Sequence, residues 1–599
     1  MLRPTAARPS SLPPGPQPPS LRRRFKLQDQ LAPLPSTALR RKRLLPLAVA
    51  AIVAFGVGVF VASGSPDRDA VERFGTAWEE GDFAAMYAEL TPSARSEYSA
   101  EAMEQTYADA AATATLDTVK ADEVRGPIDQ DGETVVALPV EVSTGSFGTV
   151  EGEIAVPVVD GAIDWQPHLV FPGQAEGDEL KRNSKLPKRA PILAADRSAM
   201  AEGPVGSRTT NGNGGILAGE VGEPTAEQAE ALEAAGFPSG TPAGTSGLEL
   251  AFDSVLAGVP GGELKAVGDD GESVLAQEDP VPGEPVRTTI DPELQDATVA
   301  ALGATYGGAA LIDADNGNVV AVAGLGFSAP QPPGSTFKII TLTGALEEGL
   351  TEPEEEFPVV SSAVVGGREV SNAHDELCGG NLVQSFAKSC NSVFAPLGER
   401  LGGKKLVEYS ERFGFNAAPT LYRPEALTAV NLLPSTIPED LADPEAGVSA
   451  IGQGEVLATP LEMASVAQTI ANRGVRSPTA LVRDPELSGD YPDTQVTTPE
   501  IAKQVKGMMV EVVASGTGIA AALPDVTVAG KTGTAELGTT VDEPVGEGET
   551  PEQEVDAWFT AFAPADDPKY AVAVMVVQAD GDGGTIAAPI ARAILDAAL

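Results

Sequence analysis

Positive charge is scarce in this chain, and what there is gathers at one end. The 599 residues hold 40 Lys and Arg against 86 Asp and Glu, a net of −46. Residues 1–43 carry ten Lys or Arg and one Asp, so this stretch stands at +9 and the remainder at −55. A body so acidic lacks the basic face that nucleic acid requires, and its charge reads as a solubilising surface. Histidine is rarer still. His168 and His374 are the only two, which argues against His-based triads and His-rich metal centres. Cysteine allows one pairing at most, Cys378 with Cys390. His374, Asp375 and Cys378 are too few and too loosely spaced to argue for a metal site. Nothing in the sequence calls for a metal or organic cofactor.

Long uncharged apolar runs are also wanting, with one exception. Residues 44–62 (LLPLAVAAIVAFGVGVFVA) are 19 residues without a charge, enough as a helix to cross a bilayer. The cluster Arg40-Arg41-Lys42-Arg43 stands directly before them, which puts the N-terminus in the cytoplasm by the positive-inside rule. A cleaved signal peptide ending near Ala62-Ser63-Gly64 is the alternative, but both leader and core are long for one. The expectation is a transmembrane anchor at 44–63. Residues 1–43, with nine prolines before residue 40, form a disordered basic tail ahead of it. The basic clusters suit anionic lipid headgroups, and everything beyond the anchor faces an oxidising compartment.

At this length three or four domains are expected. Residues 67–171 read as α+β. Val71, Phe74, Trp78, Phe83 and Tyr87 recur at helical spacing, and 134–142 and 149–159 alternate as strands. His168, beside Trp165, reads as packing. Residues 175–283 are rich in Gly, Pro and Glu. Residues 284–599 open with a cap and helix (RTTIDPELQ) and a hairpin around Asp315-Asn316-Gly317. They run mostly helical from Ser335 to about 525 and close with strands and a helix. Strands at both ends with helices between predict an antiparallel sheet sandwiched by helices.

The chemistry centres on Pro332-Pro333-Gly334-Ser335-Thr336-Phe337-Lys338. The prolines and Gly334 break regular structure just before an apolar, helix-compatible run, so Ser335 is expected at a helix N-terminus. Lys338, three residues on, shares its face. A serine needs a neighbouring base, and a lysine serves only if burial or a second cation lowers its pKa. Ser-x-x-Lys alone is weak, and Ser385-Phe386-Ala387-Lys388 repeats it. Two further motifs, Ser389-Cys390-Asn391 and Lys531-Thr532-Gly533-Thr534, complete in order the signature of penicillin-recognising serine enzymes.

On these motifs, and on RTTIDPELQ (287–295), SAIGQGEVLATPLEMA (449–464), VAGKTGTAE (528–536) and AWFTAFAP (557–564), the sequence resembles the class B penicillin-binding proteins, monofunctional peptidoglycan transpeptidases. Residues 67–171 are similar to the nuclear-transport-factor-two-like N-terminal module of the methicillin-resistance type. Residues 175–283 resemble the β-rich pedestal, or dimerisation domain, although Ala190-Pro191 replaces the usual glycine after the arginine. The resemblance implies stem peptides ending in D-Ala-D-Ala and β-lactams as ligands, a glycan-polymerising partner, and the following roles. Ser335 attacks, Lys338 takes its proton, Ser389 relays a proton to the departing D-alanine, and Asn391 holds the peptide amide. Lys531, Thr532 and Thr534 grip the terminal carboxylate. Gly533 leaves room for the donor to lie along the strand, with backbone N–H groups of Ser335 and Thr534 as oxyanion hole. A D,D-carboxypeptidase or a β-lactamase would share the motifs, though no Glu-x-x-Leu-Asn follows the second. A non-catalytic scaffold of division or elongation, or a β-lactam sensor, is the reading from another class.

Cys378 and Cys390 stay open between a disulfide and two buried thiols. If residues 381–389 are helical they span roughly 13 Å, whereas bridged Cα atoms lie within about 7 Å. Gly379-Gly380 would have to fold the chain back.

Overall fold

The computed structural model describes residues 65–130, 132–269, 271–430, 432–536 and 555–599. The expected tail (1–43) and anchor (44–63) lie outside them. Among the described residues no helix is long and apolar enough to cross a membrane. Packing divides the chain into two units. The first holds the described residues up to Ser184 together with 234–236 and 261–279, and the second holds 185–233, 237–260 and 280–599.

In the first unit Ser65 caps helix Pro66–Glu79 by accepting from Arg68 N, with Pro66 in the first turn, as such starts prefer. Val71, Phe74 and Trp78 on its inner face are buried, as their spacing predicts. Phe83 and Tyr87 pack only partly. Strand Glu133–Thr144 pairs antiparallel with Leu116–Ala121, Arg125–Gln130 and Gly148–Val159. Trp165 is buried against Tyr98 and Tyr107. The hairpin of strands Gly261–Gly268 and Gly271–Glu278 adds to strand Glu179–Lys185, and its Leu264 is buried in the same core. The stretch 175–283 is therefore not a single packing unit.

The second unit begins with short strands (Val286–Arg287, Ile192–Leu193, Ala199–Glu202, Thr209–Thr210) in one sheet, with helices Gly247–Ala251 and Asp253–Ala257 beside them. Its polar centre is Glu249. This buried carboxylate accepts from Arg189 Nη2 at 2.6 Å and from Arg208 Nε at 2.7 Å, and Arg189 also meets Asp253 at 2.8 Å. A buried carboxylate without such partners would be strongly destabilising.

Helix α1 (Pro292–Leu302), capped by Asp291, leads into strands β1 (Gly307–Asp313) and β2 (Val319–Gly324). Helices α2 (Lys338–Glu347), α3 (Leu382–Ala387), α4 (Asn391–Leu401), α5 (Pro460–Ala471) and α6 (Pro499–Ala514) follow. Strands β3 (Ala529–Glu536), β4 (Val555–Ala563) and β5 (Tyr570–Ala579) and helix α7 (Ala587–Ala598) close the chain. The sheet order is β2-β1-β5-β4-β3, antiparallel throughout. Both faces are covered, so β1, β2, β4 and β5 read as near-continuous apolar runs rather than alternating ones, while β3 carries the polar third motif. Ala310 and Ile312 join one core and Ala309 and Leu311 the other, as the two-residue period requires. α5 is buried on every side, and its buried Gln468 donates to Ala314 O and accepts from Ser477 N. The helical stretch also holds small two-stranded pairings, among them Glu356–Val360 with Cys378–Asn381 and Ser362–Val365 with Arg368–Ser371. Periodicity does not announce strands of four or five residues. Among the described residues β3 is an edge strand, paired only to β4.

Candidate active site

The Ser335 turn is held from two sides by glycine contacts. Gly334 has φ +52°, where an L side chain is strained, and a Cβ there would lie 2.6 Å from Thr534 O. Its N–H donates to Gly452 O at 3.0 Å, and a Cβ on Gly452 would lie 2.0 Å from Gly334 O. Ser335 sits in a 3-10 turn, Gly334–Phe337, and α2 proper starts at Lys338. Ser335 is half-buried; Lys338 is fully buried.

Lys338 Nζ donates to Ser389 O at 2.7 Å, to Ser389 Oγ at 3.3 Å and to Asn391 Oδ1 at 2.7 Å. Its hydrogen bonds among the described residues go to the second motif, and none goes to Ser335. Lys531 Nζ donates to Ser389 Oγ at 2.9 Å and to Thr532 O at 2.9 Å. One hydroxyl thus lies between two buried amines. Burial, and then the neighbouring Lys531, hold Lys338 well below its ordinary pKa. Burial pushes Lys531 down to about 7. Two full ammonium charges sharing one serine would repel, so the arrangement favours at least one neutral amine.

The second motif is set by a short turn between α3 and α4. Ser389 has φ +62°, an uncommon conformation for a side-chain residue and one that concentrates at functional sites. Asn391 Nδ2 donates to Ser371 O at 2.9 Å, which turns its Oδ1 toward Lys338. The next residue, Asn372, has every polar group engaged. Its N–H donates to Ser361 O, its Nδ2 to Val360 O and Glu376 O, and its Oδ1 accepts Ser392 N at 2.9 Å. Cys378 and Cys390 form a disulfide with Cα atoms 5.4 Å apart. The chain does fold back at Gly379-Gly380: Gly380 has φ +95°, and a Cβ on Gly379 would lie 2.2 Å from Pro358 O. With Cys378 bonded, the His374, Asp375 and Cys378 grouping loses its sulfur.

On β3, Lys531 and Gly533 share one face. A Cβ on Gly533 would meet Pro333 O at 2.6 Å and Trp558 Cβ at 3.0 Å, so this glycine also seats the Ser335 turn against the strand. Thr534 Oγ1 accepts Gly583 N at 3.4 Å. Thr532, on the opposite face, lies 2.5 Å from Thr517 through the two hydroxyl oxygens. Ser385 is buried inside α3 and its hydroxyl has no partner among the described residues, so it is no part of the cluster. Sequence reasoning missed Ser371, Asn372 and Thr517. It quoted the stretch containing Gly452 without assigning that residue a role.

Known family models match three stretches of the chain. The penicillin-binding protein transpeptidase domain matches residues 307–596, the penicillin-binding protein dimerisation domain 210–288, and the NTF2-like N-terminal transpeptidase domain 66–178. The chain is 37% identical over 291 residues to the peptidoglycan D,D-transpeptidase PbpA of Mycobacterium tuberculosis, covering 45% of this chain and 56% of that protein. It is 37% identical over 300 residues to PbpA of Mycolicibacterium smegmatis, with the same coverage. The chain therefore spans little more than half the length of these relatives. Among solved structures, a D,D-transpeptidase domain from Eggerthella lenta matches with a TM-score of 0.54 at 26% identity, over 69% of this chain and 99% of that one. The penicillin G acyl-enzyme complex of penicillin-binding protein A from M. tuberculosis matches with a TM-score of 0.53 at 26% identity, over the same shares.

Proposed function

We propose that this chain is a class B penicillin-binding protein, a peptidoglycan D,D-transpeptidase acting through an acyl-enzyme on Ser335; its three domain matches support the reading. The observation that carries the reading is the buried Lys338, three residues from Ser335 and held against Ser389 and Asn391 beside Lys531.

In this reading the Ser335 hydroxyl loses its proton to neutral Lys338 and attacks the penultimate carbonyl of a D-Ala-D-Ala stem. The N–H groups of Ser335 and Thr534 receive the oxyanion. Ser389, between the two amines, passes a proton to the departing D-alanine as the C–N bond breaks. An amine of a neighbouring stem then displaces Ser335 and forms the crosslink. Asn391 holds the peptide amide, while Lys531, Thr532 and Thr534 hold the terminal carboxylate. β3, free along one edge, takes the donor as an added strand. A β-lactam enters by the same acylation. The anchor at 44–63, a cytoplasmic N-terminus and a glycan-polymerising partner complete the proposal.

Labelled penicillin tests it. Ser335→Ala abolishes labelling, Lys338→Ala suppresses it, and Ser385→Ala retains most of it. Labelling that survives Ser335→Ala overturns the assignment. A label lost within seconds moves the chain toward β-lactamases. A stem peptide with and without an amine acceptor then separates crosslinking from release of D-alanine to water.

A further inference from the structure

The third motif has a partner that none of the three motifs contains. After α6 the chain turns through Ser515-Gly516-Thr517-Gly518, and this turn touches both halves of the cluster. Thr517 N donates to Ala387 O at 3.1 Å, the last residue of α3 and two before Ser389. Its hydroxyl shares a hydrogen bond with Thr532 Oγ1 at 2.5 Å. A Cβ on Gly516 would lie 2.3 Å from Ala387 O, and one on Gly584 would lie 2.4 Å from Thr517 O. The turn is therefore fitted between the end of α3 and the loop at Gly584. Thr517 itself is exposed, whereas Thr532 is 6% exposed.

We propose that Thr517 is a positioning residue for the carboxylate end of the substrate, setting the orientation of the Thr532 hydroxyl at the open side of β3. The proposal deepens the transpeptidase reading and rests on it. In this arrangement Thr517 donates to Thr532 Oγ1, which leaves the Thr532 proton to point outward, as an anion needs. Without Thr517 the Thr532 hydroxyl is a free rotor or turns to a backbone carbonyl, and the outward donor is lost. A hydrogen bond to a charged group is worth more than one between neutral groups, so the loss falls on ligands carrying the carboxylate.

The test uses the full chain and a small acyl-D-Ala thioester surrogate with a free terminal carboxylate, compared with its methyl ester. The wild type prefers the acid. Thr517→Val lowers kcat/KM for the acid by about five- to tenfold, chiefly through KM, and leaves the ester within twofold. Thr517→Ser restores the preference for the acid. In a Thr532→Val background Thr517→Val has no further effect. A variant that lowers acid and ester alike makes Thr517 a structural staple and overturns the proposal, as does a variant that changes neither. Additive losses in the double variant overturn it as well. A wild type that turns over neither surrogate removes the transpeptidase reading before any Thr517 variant is compared. Where valine is not tolerated, Thr517→Ala carries the same expectation.

Discussion

At the scale of single residues, the two lysines divide the pH range between them. Lys338 is held well below its ordinary pKa by burial and then by Lys531, so it is a free base over more of the pH range than an ordinary lysine and loses that capacity on acidification. Lys531, pushed down to about 7, is charged below that value and neutral above it. In the proposed mechanism kcat/KM for acylation rises with pH on the acid side and falls above about pH 7, as free enzyme loses the Lys531 charge. Lys531→Arg keeps its charge at every accessible pH and flattens the alkaline limb, which a pH series of penicillin acylation rates measures. A limb unchanged by this substitution removes Lys531 from that role. Stability runs the opposite way. A lysine whose folded pKa lies below its unfolded value binds more protons unfolded, so its contribution rises as pH climbs from about 7 toward 10.5.

What the sequence disclosed at this scale was the set of residues within the motifs. Ser335, Lys338, Ser389, Asn391 and Lys531 carry distinctive side chains at fixed short spacings. Thr517, Ser371 and Asn372 do not. They reach the site through a hydroxyl pair, a backbone carbonyl and four ordinary hydrogen bonds, and no local pattern marks which threonine or asparagine will land there.

Among the elements, the α3–α4 turn depends most on crosslinking. Its Ser389 is left-handed, and Cys390 ties it to Cys378 across a sequence separation of 12. A loop of that length contributes about 3 kcal/mol by chain entropy. Cys378→Ser with Cys390→Ser therefore lowers stability by about that amount in denaturant titration, and slows penicillin acylation as Ser389 and Asn391 loosen. An unchanged midpoint contradicts this. The helices and the β1–β2 hairpin were legible because capping residues, apolar periodicity and Asp315-Asn316-Gly317 are local signals. The disulfide was not, because it depends on how Gly379 and Gly380 turn the chain beside Pro358. The Arg189–Glu249–Arg208 cluster was hidden for the same reason. Its members lie 60 and 41 residues apart, and charge alone places them on a surface.

For the whole molecule, packing and sequence similarity divide the chain differently. The NTF2-like match ends at residue 178, yet Leu264 lies in the core of that unit. Leu264→Ala costs about 2–5 kcal/mol and lowers the melting temperature of the 65–279 fragment. A fragment ending at residue 185 melts lower still. Equal melting curves for the two fragments contradict that assignment of the hairpin. For the proposed anchor, protease added to spheroplasts leaves a membrane-bound stub of about the first 63 residues, whereas release of the intact body without protease indicates a cleaved leader.

The sheet carries a consequence for biogenesis. β5, between β1 and β4, pairs Gly307 with Val576, so the strand joining the two halves is the last to leave the ribosome. Until then β1 and β4 each present an open apolar edge, the form most prone to pair with a neighbour's. Closing a span this long is slow. The sheet that carries Lys531 is therefore incomplete until β5 has been made, and a nascent chain stalled before residue 570 leaves both open edges to chaperones and quality-control proteases.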